Sequence, residues 1–149
     1  MARIGFDYHS IDGNYWQEDA CYVFDERQID VIETATEALH QMYLQAVAHV
    51  VKTGDYARLG LSDTAARLIE QSFKNREPSL YGRFDLCFDG TNEPKLYEYN
   101  ADTSTSLFEA SVAQWYWLQA QGGELGGADQ FNSIHERLLV EFGAMKPAI

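Results

Sequence analysis

The sequence predicts an α+β fold, an antiparallel hairpin within a small sheet packed by about four helices. Three observations predict it. Two strand-like runs, YGRFDLCFD and PKLYEYN, flank the turn-forming group GTNE at residues 90 to 93. Apolar residues recur at three-to-four-residue steps from Ile29 to a stop at Gly54. Three further stretches carry helix starts and stops. With 149 residues, 46% hydrophobic and 13% aromatic, the chain can bury one core, so residues 1–149 are expected to form a single domain.

Residues 1–20 are rich in Gly, Asp and aromatics without a period and read as an irregular arm. MARIGF and ACYVF are the candidates for additional short strands. Asp25 and Gln28 have the spacing of a capping box, opening a long helix with Ile29, Ile32, Leu39, Met42, Ala46 and Val50 along its inward stripe. His40 and His49 lie nine positions apart within it, a spacing that does not place two imidazoles side by side for a metal. Ser62 caps a second helix, with Ala66, Ile69 and Phe73 on one side and an end before Pro78.

For the hairpin, a loop of Gly90 to Glu93 pairs Asp89 with Pro94, and the ladder follows by counting. One face is then apolar, with Phe84 opposite Tyr99 and Leu86 opposite Tyr97. The other places Cys87 opposite Leu96, Asp85 opposite Glu98, and Arg83 opposite Asn100. Two opposed carboxylates about 5 Å apart at Cβ repel unless a cation lies between them. Asp85, Glu98 and the Asn100 amide offer three hard oxygens, a set suited to Mg²⁺ whose other positions go to water and a substrate phosphate. Arg83 cannot ligate a metal, but its planar fork suits that phosphate. The same residue types equally allow Arg83 to bridge Asp85 and Glu98 on a solvated face without a ligand, an arrangement worth about 0–1 kcal/mol.

After the second strand, ADTSTS leads into a helix expected to run from Ser106, with Glu109 completing a capping box, to Gly122. Free backbone N–H groups at such a start favour a carboxylate or phosphate, and Asp102, Thr103, Ser104 and Thr105 can add hydrogen bonds. Trp115 and Trp117 read as packing residues. GGELGGAD is a linker, and SIHERLLVEFG a last helix with Ile134, Leu138 and Phe142 inward and Gly143 as its stop.

Composition narrows the function classes. A formal net charge of −12 opposes binding to a nucleic-acid backbone. Two cysteines, Cys21 and Cys87, make no framework, the first twenty residues lack the apolar run of a secretory signal, and no stretch is apolar for the length of a membrane span. A cytoplasmic protein without membrane or nucleic-acid partners is expected; homo-oligomerisation is left open.

The stretch YGRFDLCFDG…PKLYEYNADTSTSLFEA, with YWQEDACYVF upstream, closely resembles the glutathionylspermidine synthase family, whose synthetase part is an ATP-grasp-like C–N ligase. The resemblance implies a pre-ATP-grasp-like fold and small-molecule substrates: ATP, a glutathione-like peptide and a polyamine-like amine. ATP would activate the peptide carboxylate as an acyl phosphate, which an amine such as spermidine attacks. It assigns Arg83 to the transferring phosphate, Asp85, Glu98 and Asn100 to Mg²⁺, and Thr103 and Thr105 to the peptide. It further implies that residues 1–149 are the amino-terminal portion of such a ligase, with the nucleotide-binding part beyond them, and that this portion does not turn over alone. Two other classes compete: a noncatalytic module binding a small peptide or a partner, and a metal-independent hydrolase using Asp85 and Glu98 as acid and base.

Overall fold

The computed structural model describes residues 1–11, 13, 15–102 and 104–145. They hold four α-helices and a two-stranded antiparallel sheet, the α+β class expected. The chain divides into two compact units, residues 25–99 and residues 1–24 with 100–149.

In the first unit, helix α1 spans Glu26–Thr53. Its start is the expected capping box: Asp25 Oδ1 accepts from the Gln28 amide at 2.8 Å and Gln28 Oε1 accepts from the Asp25 amide at 3.0 Å. Gly54, at φ 71°, ends it in the left-handed conformation that glycine adopts without a Cβ penalty. Helix α2, Asp63–Asn75, is capped by Ser62, whose Oγ accepts from the Ala65 amide at 3.2 Å. Strands β1, Arg83–Cys87, and β2, Lys95–Asn100, form the hairpin.

Aromatic rings hold the hairpin to α1. Phe84 stacks on Tyr99 with centroids 4.2 Å apart, and Tyr43 from α1 lies 4.7 Å from Tyr99. Gly82 leaves room for this: a Cβ there would stand 2.8 Å from the Tyr99 ring. At the other end, Gln28 Nε2 donates to the Gly90 carbonyl at 3.0 Å, so one residue both caps the helix and fastens the hairpin tip. Only part of the expected α1 stripe is covered. Ile29, Ile32, Leu39 and Val50 are half-buried, whereas Met42 and Ala46 are exposed. A 28-residue helix extends about 42 Å and a strand of five or six residues about 20 Å, so the hairpin cannot screen its full length. Phe73 on α2 is likewise exposed rather than inward.

The connection between the strands is longer than four residues, running from Phe88 to Pro94. Asp89 organises it: Oδ1 accepts from the amides of Thr91 and Asn92 at 2.9 and 2.8 Å, and Oδ2 from Asn92 Nδ2 at 2.7 Å. These bonds, Asn92's first among them, lower the Asp89 carboxyl from 3.8 to about 2. A carboxyl held below its unfolded value stabilises the turn at pH above that value, and the contribution fades as pH falls through about 2. We expect the Asp89 carboxyl resonance to titrate with a midpoint near 2, and Asp89→Ala to abolish exchange protection of the Thr91 and Asn92 amides at neutral pH. A midpoint at the ordinary aspartate value would contradict this account.

The register near the tip also differs from the count. Strand β2 has one residue more than β1. Its exposure reads half-buried at Leu96, exposed at Tyr97 and Glu98, and half-buried at Tyr99, which breaks a two-residue alternation at Tyr97–Glu98. Tyr97, 78% exposed, has its hydroxyl raised chiefly by a hydrogen bond to Cys87, a residue the counted register puts on the opposite face. An extra residue bulging out of β2 at Tyr97–Glu98 accounts for all three observations. It leaves Phe84 with Tyr99 and sends both Tyr97 and Glu98 outward.

The second unit is built around Phe6, which is fully buried. The rings of Tyr8, Trp16 and Phe108 lie 4.7, 5.4 and 5.8 Å from it. The arm read as irregular therefore supplies the core. MARIGF is not a strand: Ala2–Ile4 is a 3₁₀ turn closed by Gly5 at φ 77°. ACYVF is not a strand either: Cys21, Tyr22 and Val23 are exposed, and the strands among the described residues, β1 and β2, pair with each other. After residue 106 the chain winds through a π-helical segment, Glu109–Ala113, into α3, Gln114–Ala120. The expected capping box at Ser106 is absent. Ser106 has φ 69°, not the extended backbone an N-cap needs, and the Glu109 side chain is engaged elsewhere. The helix stops at Ala120, short of Gly122. Helix α4, Ile134–Ala144, runs through Gly143, with Ile134 and Leu138 half-buried but Phe142 exposed. No helix among the described residues is long and apolar enough to cross a membrane.

Candidate functional site

The outward face of the hairpin is set by the aromatic packing on its other side. With Phe84 and Tyr99 turned to α1, Arg83 and Asp85, two positions apart on β1, share the opposite face. Arg83 Nε donates to Asp85 Oδ1 at 2.8 Å and Nη2 to Oδ2 at 3.2 Å, a two-pronged pairing with the side chains 30% and 42% exposed. The Arg83 proton is held more firmly than usual, chiefly by the hydrogen bond to Asp85; partial burial opposes this, and the charges of Asp85, Tyr81 and Glu98 add to it. Glu98 is exposed and within electrostatic reach of the same guanidinium. One cation and two carboxylates are thereby brought together.

The remaining sequence candidates lie past the division of the chain, which falls between Tyr99 and Asn100. The Asn100 carbonyl accepts from Ser104 Oγ at 2.5 Å, and the Asp102 carbonyl from the Ser104 amide at 2.7 Å, closing a tight turn. Asp102 and Thr105 are exposed. Thr103 lies outside the described residues.

Among the described residues no three His, Cys, Asp or Glu side chains gather as a metal group. A metal at the hairpin would therefore rest on the two carboxylates Asp85 and Glu98 plus a neutral oxygen. The donor type fits Mg²⁺, because both carboxylates are hard oxygen ligands and each Asp85 oxygen has a second lone pair beyond the one that faces Arg83.

Sequence reasoning missed a second cluster. Glu109, only 8% exposed, accepts from the Tyr15 hydroxyl through Oε1 at 2.6 Å across 94 positions of chain. Tyr8 also bonds Glu109, and its hydroxyl is raised by burial first and by the Glu109 charge and hydrogen bond next. The aromatic spacing in GFDYHS and YWQ was visible; its partner was concealed because Glu109 also satisfies a capping-box pattern.

The comparisons with known proteins identify a family. Residues 1–148 match the family described as glutathionylspermidine synthase pre-ATP-grasp. A Haemophilus influenzae protein named "Putative acid–amine ligase" is 46% identical over 150 residues, covering 98% of this chain and 38% of that protein. The bifunctional glutathionylspermidine synthetase/amidase of Escherichia coli K12 is 33% identical over 102 residues, 66% of this chain and 16% of that protein. The glutathionylspermidine synthase of Crithidia fasciculata is 28% identical over 118 residues, 76% of this chain and 16% of that protein. The α+β fold and these matches place the chain in a family whose named relatives are ligases and synthetases. The chain belongs to the glutathionylspermidine synthase pre-ATP-grasp family, and spans well under half the length of these relatives.

Proposed function

We propose that the chain contributes the phosphate- and metal-binding face of an ATP-dependent ligase that joins the carboxylate of a small peptide to an amine. The observation that supports this best is the Arg83–Asp85 pairing with Glu98 beside it, on the hairpin face that does not pack on α1. In this reading a peptide carboxylate oxygen attacks the γ-phosphorus of ATP and ADP leaves; the amine nitrogen then attacks the acyl carbon, releasing phosphate and a proton. Mg²⁺ would neutralise charge on the phosphoryl oxygens. Arg83, kept oriented by Asp85, would meet the negative charge that develops during transfer, the kind of preorganised interaction that contributes most in such reactions. Asp85 and Glu98 would hold the metal, with the Asn100 amide as third oxygen. Asp102, Thr103 and Thr105 would bind the peptide end. The glutathione and spermidine in the relatives' names suggest the substrate classes. We assign the working protein to the cytoplasm.

Isothermal titration with Mg²⁺ and a non-hydrolysable ATP analogue tests the proposal. Weak, Mg²⁺-dependent binding is expected, falling about tenfold or more in Arg83→Ala and losing its Mg²⁺ dependence in Glu98→Gln. Unchanged binding in both variants would refute it.

A second reading, a noncatalytic partner-binding module, is favoured by the exposed Leu139, Val140 and Phe142 on α4. The hydrolase reading gains no support, since both Asp85 oxygens accept from Arg83.

A further inference from the structure

The geometry points to Asp85 as the residue that makes the hairpin face select metal-bound phosphate over bare anions: without a divalent cation, its carboxylate takes the place of phosphate on Arg83. This rests on the phosphate-binding reading above and adds an internal competitor to it. Asp85 Oδ1 accepts from Arg83 Nε at 2.8 Å and Oδ2 from Nη2 at 3.2 Å, so both oxygens of one carboxylate lie along one edge of the guanidinium. Arginine holds free carboxylates and phosphates with the same two-pronged geometry. Because the two residues share one face of β1, the carboxylate is presented at an effective concentration that an anion from solution must overcome.

Charge sharpens the competition. The guanidinium feels Asp85 and, more weakly, Glu98, so the metal-free face carries more negative charge than positive and repels an incoming phosphate. The paired side chains are 30% and 42% exposed, and water and salt screen such partly buried charges only in part. A divalent cation held by Asp85 and Glu98 reverses the sign of the face. It also draws on the carboxylate that Arg83 grips, which weakens the pair and lets the fork turn to the phosphate. Cation and phosphate therefore bind with positive coupling, each raising the affinity of the other by the same factor. Asp85 is then more than a metal ligand, because it keeps Arg83 from capturing anions that arrive without the metal.

Titrating inorganic phosphate into the chain, first in excess chelator and then with Mg²⁺, tests this. In chelator, Asp85→Asn should bind phosphate about fivefold or more tightly than the parent, because the amide leaves the charge of Arg83 to the anion. The gain should vanish in Arg83→Ala/Asp85→Asn. Glu93→Gln, which removes the same charge from an exposed position at the hairpin tip, should stay within about twofold of the parent. Mg²⁺ should tighten phosphate binding by the parent but not by Asp85→Asn. Circular dichroism checks that each variant is folded. If Asp85→Asn binds phosphate no more tightly than the parent in chelator, Asp85 only supports Arg83 and the inference is overturned. A gain matched by Glu93→Gln, a gain that survives loss of Arg83, or a parent indifferent to Mg²⁺ would overturn it as well. The ligase reading is judged by its own titration: it stands where the parent's binding of the nucleotide analogue needs Mg²⁺ and Arg83, whichever way the chelator experiment falls.

Discussion

Phe6→Ala is expected to lower the thermal midpoint of the 1–24/100–149 unit by about 10 °C or more. Among the described residues Phe6 is the largest fully buried side chain, and Ala113 is the other residue at 0% exposure. Rings surround it: besides Tyr8, Trp16 and Phe108, those of His9 and Tyr15 lie 6.1 and 6.3 Å away. Truncating a buried phenylalanine costs about 3–5 kcal/mol, because the lost transfer free energy is joined by a cavity that rigid neighbours fill poorly. Against a total stability of about 5–15 kcal/mol, that is a large fraction. Phe6→Leu, which keeps most of the volume, should recover more than half the loss. A calorimetric scan in which Phe6→Ala melts within about 2 °C of the parent would show that the arm is not the core of this unit.

The second large effect is expected at the buried acid. Glu109→Gln replaces a charge-assisted hydrogen bond from Tyr15 with a neutral one, in a setting where bonds to charged groups contribute about 1.5–3 kcal/mol. Tyr15→Phe removes the donor instead. In a double-mutant cycle followed by urea unfolding, the pair should couple by about 1 kcal/mol, since Tyr15→Phe removes a bond that Glu109→Gln weakens from charge-assisted to neutral. A coupling near zero would mean that Tyr15 and Glu109 are neighbours without a shared bond. Tyr8 gives an independent readout. Its hydroxyl, raised above 10.0 by burial and by Glu109, should titrate lower in Glu109→Gln by absorbance. Because the folded state holds that proton more tightly, the stabilisation is present below pH 10 and lost as pH rises through the folded value.

Local rules made much of the fold legible. Asp25, Gln28 and Gly54 set the limits of α1, and Ser62 set the start of α2, because caps act over three or four residues and appear as a spacing. The pairing of Phe84 with Tyr99 came from counting back from the turn and keeping the apolar residues on one face. The counted register failed near the tip because nothing in KLYEYN marks an extra residue; the bulge is visible only in which side chains are covered. Met42, Phe73 and Phe142 satisfy a helical period yet stay exposed, since periodicity shows where a face lies and not whether another element reaches it. Phe6 and Glu109 were out of reach for a third reason. Their contacts bring together residues about a hundred positions apart, and an arm without a period offers no register to count from. At the hairpin, residue types alone brought Arg83 and the two acids to one face, but not that the guanidinium would grip Asp85 with two prongs.

The wide turn at Glu109–Ala113 has a consequence for how sequence length may vary here. Such turns amount to one residue more than an ordinary helix needs, and each residue rotates a helix by about 100°. Deleting Val112 would leave a well-formed α-helix but swing Glu109 roughly a quarter-turn around the axis, off the tyrosines. Gaps would therefore be tolerated at the GGELGGAD linker and selected against across these five positions, although no side chain in the deletion itself carries chemistry.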